Sequence, residues 1–264
     1  MNQDDRPLVS IVMPAYNAED LIERTIDSVV SQSYGNWELL VVDDCSKDGT
    51  RSVVERLAQS DGRIRLVPLE HNNGAPAAPR NIGVSLARGE FVALLDADDL
   101  WHPRKLELQV PILRGSSAPL CCTQMTDFVD DSDVVYAEPG SVSTERITFE
   151  KQRLKSRIPN SSVLARRDVL VAVPFNESPA YKAVEDYDCS LRILKSFGDA
   201  IKIKYPLLRY RKVEGQISGS KLKMLRRVFM VHRNLPESNI ILSCFFLFTY
   251  VVGSLYFRLW KKSL

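Results

Sequence analysis

The sequence is poor in cysteine and histidine and carries no surplus of either charge. Its five cysteines, Cys45, Cys121, Cys122, Cys189 and Cys244, are odd in number, scattered and free of any C-x-x-C pair. That fits a reducing compartment better than a disulfide framework and argues against structural zinc. Three histidines, His71, His102 and His232, stand alone with no second ligand at metal spacing, so none is assigned a role. Basic and acidic residues nearly cancel, 35 against 33 for a net charge of +2, and without a global field no nucleic-acid partner is expected. Internal repeats and low-complexity tracts are also missing. Met1–Arg6 is polar and the apolar run Leu8 to Met13 is too short for a signal peptide, so the bulk of the chain is expected in the cytoplasm.

What is present is a globular composition, 45% hydrophobic and 26% charged over 264 residues, enough for one domain with an appendage. From Leu8 to about Leu113, short apolar runs alternate with helical periodicity, the pattern of β-α-β units around a mostly parallel sheet. Strands are predicted at Leu8 to Met13, Trp37 to Val42, Ile64 to Leu69 and Phe91 to Leu95. Leu21, Ile22, Ile26, Val29 and Val30 make one helix face, for which Asn17 is the expected N-cap, with Glu19 and Asp20 in its first turn. Asp48-Gly49-Thr50 opens a second helix, and "NNGAPAAPRN" runs into a third. Right-handed crossovers gather the loops that follow the strands on one edge of the sheet, where such proteins bind ligands. Pro14–Glu19, Asp43-Asp44, Asn72–Asn81 and an acid cluster, Asp96, Asp98 and Asp99, would meet there.

The acid cluster is the most informative feature. Packing gives no reason for a buried strand to end in mutually repelling carboxylates, which are costly unless a cation neutralises them. Asp96 and Asp98 stand two apart, so in extended chain their side chains point the same way. They could share a hard divalent ion, Mg2+ or Mn2+, whose remaining positions are filled by phosphate oxygens. D-x-D alone is a weak motif; its place at the carboxyl end of a strand, beside Asp43-Asp44, strengthens it. Beyond Leu120 the pattern is less regular, with an acidic loop "DFVDDSDVVYAEPG", a strand expected near Ser161 to Ala165, and a helix around "AVEDYDCSLRILKSFG" in which Tyr187, Leu191 and Leu194 share a face. The last residues differ in kind. "KLKMLRRVFMVHRN" is basic and amphipathic, and Ile240 to Phe257 is uncharged and strongly apolar. As a helix that run would reach about 27 Å, a marginal span. It suits membrane association, or otherwise docking on the domain or in a homodimer.

"VSIVMPAYNAEDLIERTIDSVVSQSYGNWELLVVDDCSKDGT", "GAPAAPRNIGVSLARGEFVALLDADD", "EDYDCSLRIL" and "PLLRYR" occur in that order. Together they resemble the family 2 glycosyltransferases, nucleotide-sugar enzymes of the type A fold, over roughly residues 7 to 215. The resemblance implies a Rossmann-like α/β fold, a mostly parallel mixed sheet flanked by helices, with a C-terminal membrane-associating segment. Residues 1–215 would be the catalytic domain, about 7–113 for the donor and about 114–215 for the acceptor, and 216–264 the appendage. It implies that Pro14, Ala15, Tyr16 and Glu19 lie along the nucleoside and that Asp44 recognises uracil. Asp96 and Asp98 would meet ribose and the metal, with Ala97 between them, and Asp186 would be the general base. Arg80, Arg209 and Arg211 complete the donor-binding set. Pro76 and Pro79 depart from the small residues usual in relatives and put backbone contacts there in doubt. The implied activity is metal-dependent, inverting transfer of a hexosyl or N-acetylhexosaminyl group from a nucleotide-diphospho-sugar, UDP-linked by preference. The acceptor would be a hydroxyl of a lipid-linked or polysaccharide saccharide in bacterial cell-envelope synthesis, at the cytoplasmic face of the inner membrane.

Other readings explain the same residues. Asp43-Asp44 could be a capping turn, Glu185-Asp186 first-turn acids that favour the helix dipole, and Arg209 and Arg211 a solvated strand face. A sugar nucleotidyltransferase would need a Gly-rich phosphate loop where Pro14-Ala15-Tyr16-Asn17 stands. A receiver-like module would carry its paired acids after the first strand. A catalytically inactive scaffold of the same fold is the remaining alternative.

Overall fold

The computed structural model describes residues 6–212, 221–236 and 238–260, without the side chains of 221, 222, 250 and 253–260. Its N-terminal half is built as the apolar runs require. β1 (Val9–Ala15), α1 (Ile22–Val30), β2 (Trp37–Asp43), α2 (Thr50–Ser60), β3 (Ile64–Pro68), α3 (Ala77–Leu86) and β4 (Phe91–Leu94) follow one another. Every residue of β1, β2 and β4 is buried, because helices cover both faces of the parallel sheet. The pleat divides β1 between two cores: Val9, Ile11 and Met13 face one cluster and Val12 the other.

The C-terminal half continues the same sheet. β5 (Leu100–Trp101), α4 (Lys105–Arg114), β6 (Leu120–Phe128), β7 (Thr144–Ile147), α5 (Phe149–Leu154), β8 (Leu164–Arg166), α6 (Arg167–Ala172), α7 (Glu185–Phe197) and β9 (Ala200–Arg211) complete it. Among the described residues the sheet has nine strands in the order β3-β2-β1-β4-β8-β6-β9-β5, with β7 also pairing β9. β1 pairs in parallel with both β2 and β4, whereas β8 runs antiparallel to both β4 and β6. The chain direction thus changes next to β4, the strand that leads into Asp96. β8 begins later than the run from Ser161, because 160–162 form a single tight turn.

Asn17 is not the cap of α1, which corrects the expectation for that residue. Its backbone is left-handed (φ 49°) and its Oδ1 accepts the Lys47 N–H at 2.8 Å. The helix itself starts at Ile22, with no side-chain cap at Leu21. An asparagine tolerates that conformation, and here it ties the loop after β1 to the loop after β2. Pro79 fits α3 because it lies in the first helical turn, where its missing N–H would have had no helical partner.

α8 (Lys221–Arg233) and α9 (Ile240–Trp260) follow the sheet. Val228, Val231 and Leu235 pack with Val184, Tyr187 and Leu191 into a small third core, which Leu247 of α9 joins. Leu194, expected on the same face, belongs instead to the second core. Phe246 stacks on His232 at 5.3 Å and lies under the Arg153 guanidinium at 3.8 Å. One face of α9 is therefore docked on the domain. Among the described residues no helix is long and apolar enough to cross a membrane, so the spanning form of the C-terminal expectation has no support here.

Candidate active site

At the carboxyl edge of β4 the chain turns through Asp96, Ala97, Asp98 and Asp99, and neighbouring elements pin each step. Ser161 Oγ accepts the Asp96 N–H at 3.2 Å, Thr25 Oγ1 donates to the Ala97 carbonyl at 2.9 Å, and Arg211 Nε donates to the Asp98 carbonyl at 2.8 Å. Asp99 is fully buried and accepts the Arg211 backbone N–H at 3.0 Å. Trp101 lies beneath, completely buried, with Nε1 donating to the Ser161 carbonyl at 2.7 Å. The loop is thus a rigid platform for its carboxylates.

One cation organises the acids. Arg80 on α3 is 4% exposed; its Nη2 donates to Asp96 Oδ1 at 2.7 Å and its Nη1 to Glu185 Oε1 at 2.9 Å. Burial opposes its charge, but the carboxylates of Asp96 and Glu185 reverse that effect and hold its pKa above the ordinary arginine value. Glu185 and Asp186 open α7, preceded by Ala183 in a left-handed backbone conformation (φ 67°). Arg80 therefore brings the end of β4 and the start of α7 to one wall. Burial first, then the adjacent charge of Glu185, pushes the Asp186 carboxyl up to about 7. Burial and then Asp96 push Asp98 up to about 6, and Asp99 is raised well above the carboxylate range by burial and its neighbours.

These residues suit a hard divalent ion in one particular way. Asp98 is half-buried and in no ion pair among the described residues, and its repulsion with Asp96 is what a cation would relieve. Among the described residues no group of three or more His, Cys, Asp or Glu is placed to hold a metal. The donor set fits an ion held by one or two carboxylates and shared with ligand oxygens, and not a closed protein cage.

The remaining residues divide. Asp44, 4% exposed, accepts from Asn73 through both its backbone N–H and its Nδ2, and its own N–H donates to the Ala15 carbonyl at 2.8 Å. Glu19 Oε2 accepts the Gly49 N–H at 2.8 Å, and Tyr16 stands 49% exposed at the rim of the same edge. Pro14 pairs with Val42 in the β1–β2 ladder. Asp43 is wholly buried and bound to Arg51. Arg211 Nη2 reaches Asp131 of the acidic loop. Arg209 is not brought to the acids: its guanidinium donates to the Pro206 and Val135 carbonyls at 2.9 Å each. Glu185, Asn73, Ser161 and Asp131 shape the site without a motif that singles them out; only the pairing of Glu185 with Asp186 hints at one of them.

Removing Arg80 strands two acids. Arg80→Met is expected to destabilise the fold by about 3–5 kcal/mol, and Arg80→Met/Glu185→Met to recover about half of that, in urea unfolding. A single-variant loss below about 1 kcal/mol, the range of a solvated surface pair, would contradict the buried bridge.

The Glycosyl transferase family 2 model matches residues 10–172 of this chain. The sequence is 36% identical over 249 residues to the Escherichia coli UDP-Glc:alpha-D-GlcNAc-diphosphoundecaprenol beta-1,3-glucosyltransferase WfgD, covering 94% of each chain. The fold superposes on S. aureus TarS 1-349 in complex with UDP-GlcNAc with a TM-score of 0.69, at 20% identity, over 97% of this chain and 74% of that one. It also matches the Pyrobaculum calidifontis mannosyltransferase PcManGT in complex with GDP-Man and Mn2+, with a TM-score of 0.68 at 18% identity, over 99% of this chain and 77% of that one. The fold is the type A glycosyltransferase fold, and with its acid loop and α7 acids on one edge of the sheet the chain belongs to glycosyl transferase family 2.

Proposed function

We propose that the protein is a metal-dependent, inverting glycosyltransferase that transfers a sugar from a UDP-sugar to a hydroxyl of a lipid-linked or polysaccharide acceptor in bacterial cell-surface polysaccharide synthesis. The observation that carries this reading is the Arg80 bridge, which joins Asp96 of the acid loop to Glu185, the neighbour of Asp186. Family membership and the donor and acceptor in the name of WfgD support the substrate classes. PcManGT supports a divalent ion. In this reading about 7–113 binds the donor, about 114–215 the acceptor, and 216–264 holds the enzyme to the cytoplasmic face of the inner membrane. Pro14, Ala15, Tyr16, Glu19 and Asp44 border the nucleoside.

Asp98 and Asp96 would hold Mg2+ or Mn2+ together with diphosphate oxygens of the donor. When bound, such an ion neutralises charge developing on the leaving nucleoside diphosphate. Arg211, fixed on the Asp98 carbonyl, adds positive potential at the same end of the site. Asp186 takes the proton of the acceptor hydroxyl as its oxygen attacks the anomeric carbon. The bond to the diphosphate breaks with its electron pair on the leaving group, and attack from the opposite face inverts the centre. Burial of Asp186 matches its basicity to neutral pH.

Calorimetry with UDP is expected to show binding that needs Mn2+ or Mg2+ in the wild type and is lost in Asp98→Ala; metal-indifferent binding would contradict the metal site. The base must be ionised to act, and its carboxyl is raised to about 7. So kcat/KM is expected to fall tenfold per unit below that pH and level off above it. Asp186→Asn should lose about 10²–10⁴ in rate while still binding UDP. A flat profile across neutral pH, or an active Asn variant, would remove Asp186 from the role of base.

A further inference from the structure

The face of α8 turned away from the third core has chemistry that the donor site does not use. Lys223, Arg226, Arg227 and Met230 recur at helical spacing on one side, and with Pro179 and Ala180 they line an open depression of about 280 Å³. Its lining holds three cations and no anion. Among the described residues these cations make no salt bridge or hydrogen bond. Like charges gathered without a counter-charge repel, and an anion placed among them relieves that cost. The depression is also linked along the chain to the start of α7. Pro179 and Ala180 belong to the turn that leads through Ala183 into Glu185 and Asp186. Tyr187 at the start of α7 is held by α8 itself, its hydroxyl 3.2 Å from His232 Nε2.

α9 adds an apolar surface. While Phe246 and Leu247 face the domain, Ile241, Phe245 and Phe248 on the outer side are 76%, 51% and 66% exposed. Apolar area of this kind next to a cationic face suits a bilayer surface with an anionic group at the level of the head groups. A diphosphate is doubly charged and compact, and three convergent cations fit it better than the single charge of a common phospholipid.

We propose that the depression bounded by Lys223, Arg226, Arg227 and Met230 binds the diphosphate of a lipid-linked acceptor, while the outer face of α9 rests in the same bilayer. The proposal rests on the glycosyltransferase reading and deepens it: the lipid's diphosphate is held beside the turn that delivers Asp186, so the attached sugar reaches the base.

Vesicle flotation tests it with the full chain. Phosphatidylcholine vesicles carrying a polyprenyl diphosphate are compared with vesicles carrying phosphatidylglycerol at equal surface charge. The wild type is expected to partition more strongly onto the first. Lys223→Gln/Arg226→Gln/Arg227→Gln should lose roughly a hundredfold there, from about fivefold per cation, and less on the second. Met230→Glu should weaken the first in the same direction. Equal partition of the wild type onto both vesicles, or variants that partition like the wild type, would overturn the subsite. UDP calorimetry on each variant keeps the two readings apart. UDP binding retained in a variant assigns its loss of flotation to the depression. A wild type that floats on diphosphate vesicles but never binds UDP would sink the donor reading and leave the depression standing.

Discussion

A single buried guanidinium sets the arrangement. Arg80 is only 4% exposed, and a charge so deeply buried persists only when it is paired and hydrogen-bonded. Its partners come from two places far apart in sequence, Asp96 at the end of β4 and Glu185 at the start of α7. The converse holds equally: without Arg80, carboxylates of the acid loop and of α7 would face each other in a half-buried cleft. Charge-assisted hydrogen bonds of this kind are directional, so the bridge fixes orientation as well as proximity. Asp96 is left partly exposed, with 31% of its side chain open to solvent, so one side of it stays available to a ligand or ion.

The fold makes that meeting available at no special cost. Parallel β1, β2 and β4 end on one edge, which places the Asp44 and Asp96 loops together. The antiparallel β8 beside β4 then brings the 160–162 turn against the acid loop, where Ser161 receives both the Asp96 N–H and, through its carbonyl, the indole of Trp101. The N-terminal and C-terminal parts of the sheet are thus joined at β4, the strand that leads into the acid loop. A carboxyl held in this wall beside a second carboxylate is harder to ionise, which is why the Asp186 carboxyl is raised.

How much of this the sequence discloses depends on the range of the interaction. β1, β2 and β4 are legible because strands buried on both faces read as largely apolar runs, and observed boundaries for Trp37–Asp43 and Phe91–Leu94 fall within a residue of the expected ones. The acids are legible by their position after those strands. Glu185 as an anchor is not, since an acid in a first helical turn looks the same whether it complements a dipole or binds an arginine 105 positions earlier. Asn17 looks like a cap because Asn commonly is one, and only the approach of the 46–47 loop gives it another use. Arg209 and Arg211 share a strand face and look equivalent. The acidic loop separates them, taking Arg209 with the Val135 carbonyl and Arg211 with the Asp131 carboxylate. The C-terminal apolar run discloses its hydrophobicity but not its two sides, one docked through Phe246 and the other open at Phe245 and Phe248.

The central claim is that the acid loop and α7 form one site, joined by Arg80. A crystal structure with UDP and Mn2+, recorded at the manganese absorption edge, tests it most directly. The account expects one anomalous peak beside Asp98 and Asp96, the diphosphate on that ion, and Asp186 across the donor-facing cleft with the Arg80 bridge intact. A manganese peak elsewhere, UDP bound away from Asp44 and Asp98, or Arg80 released from Glu185 in the complex would contradict it.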